Sequence, residues 1–142
     1  MCSSDLMRKK LLGAEHPDTL TSMENLAGTY RNQGRWNEAE QLEIQVMEMR
    51  KMLLGAEHPD TLTSMGNLAG TYRNQGRQNE AEWLQIQVMD MSKKLLGAEH
   101  SHTLIHMGNL ARTYRDQGRV LESEKLVLEV MNIRRRRGRN RV

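Results

Sequence analysis

Asparagine stands at three places one constant interval apart, Asn25, Asn67 and Asn109, each directly ahead of a Leu-Ala pair. A primary amide donates from one side and accepts on the other, so it pairs with a peptide unit whatever that residue's side chain is. Six residues after each amide come Arg31, Arg73 and Arg115, whose planar forks suit carboxylates or phosphates. Arg112 adds a cation where Gly28 and Gly70 stand in the earlier copies. An amide row flanked by cations describes a sequence-tolerant hold on an extended peptide, biased toward an acidic one. Two plainer readings stand beside it. Each amide could bond a neighbouring helix and only shape the repeat, and cations near a helix C-terminus are favoured by the dipole alone.

Other chemistry finds less support. His100, His102 and His106 crowd one helix start, and the 102/106 pair has the i, i+4 spacing of metal ligands, but a third ligand is lacking. His16, His58 and His100 occupy one repeat position, which points to capping of a loop. Glu38 and Glu40 recur as Glu80 and Glu82 and as Glu122 and Glu124, yet residues two apart on a helix do not face each other. No GxxxxGK[ST] phosphate loop is present. An active site needs one asymmetric constellation, and these groups are copies, so the expectation is a non-enzyme without metal or cofactor.

The elements that position these residues follow from internal repetition. At an offset of 42 residues, Leu11 to Met52 matches Leu53 to Lys94 at 35 of 42 positions, and the next copy, Leu95 to Arg136, matches the second at 24. Divergence is therefore concentrated in the third copy. Periods of 20–50 residues mark arrays in which each unit buries its apolar face by stacking on its neighbours.

Each copy reads as two helices. Leu20, Met23, Ala27 and Tyr30 recur at spacings of 3, 4 and 3, with Leu26 widening the stripe, as an amphipathic helix requires. Pro17 suits its first turn, Asp18 places negative charge at the positive end of the dipole, and Gly34 supplies a left-handed stop. Ala39, Leu42, Val46, Met49 and Leu53 form a second stripe ending at Gly55, with Ile44 and Met47 lying off it, where they could cover the next repeat. Gly28, Gly66, Gly70 and Gly108 interrupt the first helices at about 1 kcal/mol each relative to Ala, a cost that close approach of a ligand backbone would offset. With Glu24 in the first copy and Arg112 in the third, the peptide-holding face is expected to run from acidic to basic. No period-two alternation of useful length appears, so the fold is expected to be all-α.

Net charge is +3, but six arginines fall in the last nine residues, leaving 15 cations against 18 anions elsewhere. A mildly acidic body argues against a nucleic-acid surface, and the RRRRGRNR run adds at most a salt-sensitive attraction to polyanions. The lone Cys2 cannot form an internal disulfide, and no apolar run is long enough for a membrane span. The expected location is the cytoplasm. By position, residues 1–6 read as a non-native or disordered leader and 7–16 as the remnant of a preceding second helix and its loop. Residues 17–55, 56–97 and 98–133 read as three repeats, and 134–142 as a disordered basic tail.

The words LLGAEHPDTLTSM, NLAGTYRNQGR and NEAE resemble a tetratricopeptide repeat of the 42-residue kinesin-light-chain type. Ala27, Tyr30, Gly34 and Ala39 carry the likeness and recur as Ala69, Tyr72, Gly76 and Ala81. The third copy departs, with Ser123 for the alanine and with Ser101 and His102 for Pro and Asp. The wording AEHPDTLTSM is also similar to the repeat arms of fungal NB-ARC or NACHT signalling ATPases. The resemblance implies a right-handed α-solenoid of three helix-turn-helix units, lined on its concave side by the first helices and binding peptide segments of partner proteins. Asn25, Asn67, Asn109, Arg31, Arg73, Arg112 and Arg115 would form that groove. The alternative is a structural array with no ligand of its own, forming homo-oligomers through exposed repeat ends at Met7–Leu12 and Leu126–Met131.

Overall fold

A histidine starts each of the first helices. His16, His58 and His100 adopt extended backbone angles at the N-cap, and each Nδ1 accepts from the backbone N–H two residues on, at 3.1, 3.0 and 3.1 Å. One otherwise unpaired helix-end donor is thereby satisfied. In this computed structural model, which describes residues 16–140, six helices follow in order. They are α1 (Pro17–Asn32), α2 (Trp36–Leu54), α3 (Pro59–Asn74), α4 (Gln78–Leu96), α5 (Ser101–Asp116) and α6 (Val120–Asn140). No strand occurs among the described residues. The segments read as leader and remnant lie almost wholly outside them.

The third copy lacks the proline and aspartate of its predecessors, yet α5 begins in the same register, because the His100 cap is retained. The first helices stop at Gly34, Gly76 and Gly118, whose φ values of 75°, 80° and 80° no β-carbon tolerates cheaply. The chain then turns so that the Arg35 and Arg119 amides donate to the Tyr30 and Tyr114 carbonyls at 2.8 Å. At the C-terminus α6 does not stop near residue 133 but carries Arg134 to Arg137 within the helix. Arginine is a good helix former, and nothing in that run breaks the backbone ladder.

The helices form two compact units, one ending at Gln75 and one beginning at Gly76. In the first, α2 packs on α1 and on α3. Its core joins Leu20, Met23 and Val46, and beside them Leu26, Tyr30 and Ala39, with Leu42 touching both groups. In the second, α5 packs on α4 and on α6, and Leu104, Met107, Val130 and Ile133 form the core with Met89 and Leu126 against it. Ala39 and Ala81 are fully buried. Ser123, at the same position, hides its hydroxyl by donating to the Ala111 carbonyl at 2.8 Å. Met47 is buried as α2 meets α3, whereas its counterpart Met131 on α6 is 49% exposed.

Candidate functional site

Each first helix keeps one stripe away from its core. Thr21, Asn25, Gly28 and Asn32 on α1 correspond to Thr63, Asn67, Gly70 and Asn74 on α3 and to Ile105, Asn109, Arg112 and Asp116 on α5. Spacings of 4, 3 and 4 residues line one helix face. Within it Asn25 is exposed and Asn67 and Asn109 are half-buried. Space above Gly70 and Gly108 is open for at least 4 Å, and a β-carbon at Gly28 would meet only the Arg31 guanidinium at 3.5 Å. Packing therefore does not demand glycine at these places. Arg112 and Arg115 are exposed, while Arg31 and Arg73 are half-buried and engaged with other groups.

Beneath this face the first unit holds a polar cluster. Arg50 on α2 reaches back to α1, where two of its nitrogens donate to the two Glu24 carboxylate oxygens at 3.1 Å each. It also donates to Ser64 Oγ on α3 at 2.7 Å. Asn67 Nδ2 donates to Glu24 Oε1 at 3.0 Å, so the donor side of this amide is committed within the fold. The charge of Glu24 is met by Arg50 rather than left free on the surface.

Glu43, only 4% exposed on α2, accepts from the Thr71 hydroxyl of α3. Its other oxygen and Arg31 Nε are both buried without a hydrogen-bond partner, 3.7 Å apart. Burial pushes the Glu43 carboxyl up to about 6, against the pull of the Thr71 hydroxyl and of Arg31. Glu24, Glu43, Val46, Ser64 and Asn67 line a cavity of about 10 Å³, close to the room one water needs.

The second unit repeats the framework with different chemistry. Gln85 stands in place of Glu43, and Thr113 donates to its side-chain oxygen at 2.6 Å. Ser92 stands in place of Arg50 and shares a hydrogen bond with Thr103 at 2.9 Å. The carboxylate pairs at the helix starts divide their roles. Glu38, Glu80 and Glu122 ion-pair with Arg35, Arg77 and Arg119, which hold their carboxyls below the ordinary range, chiefly through hydrogen bonds. Glu40 and Glu82 accept from Gln75 and Gln117 at 2.8 and 2.9 Å, and Glu82 also ion-pairs with Arg119.

His106 is half-buried, and burial, with a smaller push from His102, lowers its pKa. No group of three His, Cys, Asp or Glu residues able to hold a metal occurs among the described residues. No helix there is long and apolar enough to cross a membrane. An apolar recess of about 510 Å³ lies between α1 and α2, lined by Leu20, Met23, Ile44, Met49 and Met52 with Gln45 and Glu48, and contains none of the expected peptide-contacting residues.

Glu43 and Arg50 were not singled out from sequence. A signal was nonetheless present. The first two copies differ at seven of 42 positions, and three of those seven, 24, 43 and 50, converge on this one cluster.

The tetratricopeptide repeat profile matches residues 19–60, 61–102 and 103–137. Among solved structures, a Podosopora anserina chain titled as a kinesin light chain with nearly identical TPR-like repeats is 35% identical, with a TM-score of 0.80 over 92% of this chain. A single-substitution variant of it is 34% identical, with a TM-score of 0.85 over 95% of this chain. The present chain spans 62% and 64% of those two chains. BtubC (BKLC) from P. vanneervenii, 18% identical, shares the fold, with a TM-score of 0.82 over 92% of this chain and 52% of its own. No curated protein sequence matches. With three matched repeats, six helices and relatives of the same solenoid class, the chain belongs to the tetratricopeptide repeat family.

Proposed function

We propose that the chain is a non-enzymatic interaction scaffold that holds an extended, acid-bearing peptide of a partner protein on the open faces of its first helices. Tetratricopeptide repeats generally mediate protein–protein interaction, and the kinesin-light-chain-like fold is typically non-enzymatic. The observation that supports the reading at this face is the pair Gly28 and Gly70, three residues after Asn25 and Asn67, where packing demands no glycine: nothing lies within 4 Å above Gly70, and only the Arg31 guanidinium above Gly28. A helix that keeps glycine in its interior without a packing reason gives up about 1 kcal/mol per site, and backbone approach by a ligand accounts for that loss.

The residues differ in readiness. Asn25, Arg112 and Arg115 are exposed and make first contacts. Asn67 and Arg31, already tied to Glu24 and facing Glu43, shape the surface from within. Asn109 and Arg73, both half-buried, complete the set. The same reading places the chain in the cytoplasm, as the repeat arm of a switch ATPase of the kind its wording resembles.

Titrating the full chain with an acidic, proline-containing peptide while following backbone amide shifts tests this. The expected result is perturbation at Asn25, Gly28, Gly70, Asn109 and Arg115, and about tenfold weaker binding, or about 1.4 kcal/mol, for the double substitution Arg112→Ala/Arg115→Ala. Shifts confined to α2, α4 and α6 would overturn it.

A further inference from the structure

One stripe of each second helix stays exposed whatever packs beside that helix. On α2 it carries Asn37, Gln41, Gln45 and Glu48, all exposed although α3 packs on α2. On α4 it carries Asn79, Trp83, Gln87 and Asp90, all exposed although α5 packs on α4. The corresponding residues on α6 are Leu121, Lys125, Glu129 and Asn132, again exposed. Spacings of 4, 4 and 3 keep each set on one side of its helix. Openness at this stripe therefore belongs to the repeat itself and does not depend on which helix comes next. The stripe on α2 is wholly polar, whereas the second unit carries a tryptophan 62% exposed and a leucine 82% exposed, Trp83 and Leu121.

We propose that this outer surface of the second unit pairs with the same surface of a second molecule of the chain about a two-fold axis, Trp83 seating against Leu121 and Asp90 pairing with Lys125 across the interface. α4 and α6 lie side by side and run parallel, because Glu82 meets Arg119 and, further along, Lys93 meets Glu129 at 3.6 Å. A residue of α4 is thus level with one 36 or 37 positions later on α6. A two-fold axis parallel to the helices lays α4 of each molecule along α6 of the other and leaves these levels unchanged. Trp83 then comes within about 3 Å, along the axis, of Leu121 of the second molecule, and Asp90 comes as close in level to its Lys125. Symmetry makes each contact twice.

Charge favours a second molecule of this chain over a foreign protein. Asp90 and Lys125 are exposed, opposite in sign and in no ion pair among the described residues, so one surface supplies both halves of the pairing. Tryptophan is among the residues that carry most of the binding energy where interfaces close, and no neighbour within the unit covers Trp83 or Leu121. Half-buried Ile86 and exposed Leu128 extend the apolar ground beside them. Two helices, each about 28 Å long and about 10 Å wide, offer about 1,100 Å² in total when paired this way, the size of a weak, concentration-dependent association. The carboxylates of Glu80, Asp90, Glu122 and Glu129 around the apolar anchors disfavour an anionic lipid surface.

Sedimentation equilibrium on the full chain tests the pairing, and a monomer–dimer equilibrium is expected at concentrations up to about 1 mM. Trp83→Gln and Leu121→Asn introduce the residue types that the first repeat holds at the same places, Gln41 and Asn37. Circular dichroism should therefore stay unchanged while each substitution weakens dimerisation about tenfold or more. Asp90→Lys and Lys125→Asp should each weaken it about fivefold, since each sets like charges opposite one another twice, and the double exchange should return to within about twofold of the parent. The extended acidic peptide that probes the first-helix face should bind Trp83→Gln like the parent chain, so failure of one site does not mimic failure of the other. A chain still monomeric at about 1 mM overturns the proposal. So does a dimer indifferent to Trp83→Gln, a double exchange no better than either single one, or open-ended growth beyond two molecules, the mark of stacking through repeat ends.

Discussion

Glu43 in the first unit and Gln85 in the second sit at the same step of the same helix, equally buried, each accepting from a threonine hydroxyl of the next helix. One atom separates the two arrangements. The amide meets its threonine with no charge to desolvate. The carboxylate makes the same contact and in addition requires Arg31, and its pKa still rises to about 6. Around it the first unit adds Arg50 and Glu24, where the second copy of the repeat holds Ser92 and Gly66. A shared backbone thus supports a charged joint and a neutral one, and the charged one has more to lose when a single member is removed.

The largest expected effect comes from splitting the ion pair. Arg50→Ser alone should lower stability to urea by about 3 kcal/mol at neutral pH, because Glu24 and Ser64 lose their common partner. Adding Glu24→Ala should return at least half of that, since the second copy lives without either charge. If the double variant is no more stable than the single one, the two joints are not equivalent solutions.

Smaller is the effect of exchanging the acceptors. A carboxyl whose folded pKa lies above its unfolded value binds protons more readily in the folded state, so its contribution falls as pH rises from about 4.5 to about 6 and stays low above that. Glu43→Gln should therefore raise stability by up to about 2 kcal/mol at pH 7, the equivalent of the shift, and by nothing below about pH 4.5. Gln85→Glu should show the opposite sign over the same range. Stability curves measured across pH for both variants check the pair, and a pH-independent gain in Glu43→Gln would remove desolvation as the cause.

Smallest is a control on what the units share. His58→Ala and His100→Ala each remove one N-cap and should cost about 1 kcal/mol apiece by thermal melting. Similar losses would localise the contrast between units to the polar joints. A loss confined to one of them would mean that the caps differ too.

Much of the architecture was legible before any coordinates. The 42-residue period, the stripes from Leu20 to Tyr30 and from Ala39 to Met49, the stops at Gly34 and Gly55 and the capping histidines all depend on near neighbours in sequence, and the structure has each of them, whereas Leu53, expected to continue the second stripe, is exposed. The polar cluster was harder to read because Arg50 meets Glu24 across 26 residues and Thr71 meets Glu43 across 28. Helical periodicity places Glu43 on a face, but only the arrival of α3 makes that face an interior. Asn67 shows the same limit. Its spacing from Asn25 and Asn109 was plain, whereas its bond to Glu24 depends on how closely α1 and α3 approach.

The hydroxyl of Thr71 or Thr113 serves a carboxylate and an amide equally well, so the downstream helix is indifferent to which kind of unit precedes it. Joints of that sort let an array lengthen or shorten by whole modules, through duplication or deletion of coding sequence, with no compensating change at the new seam.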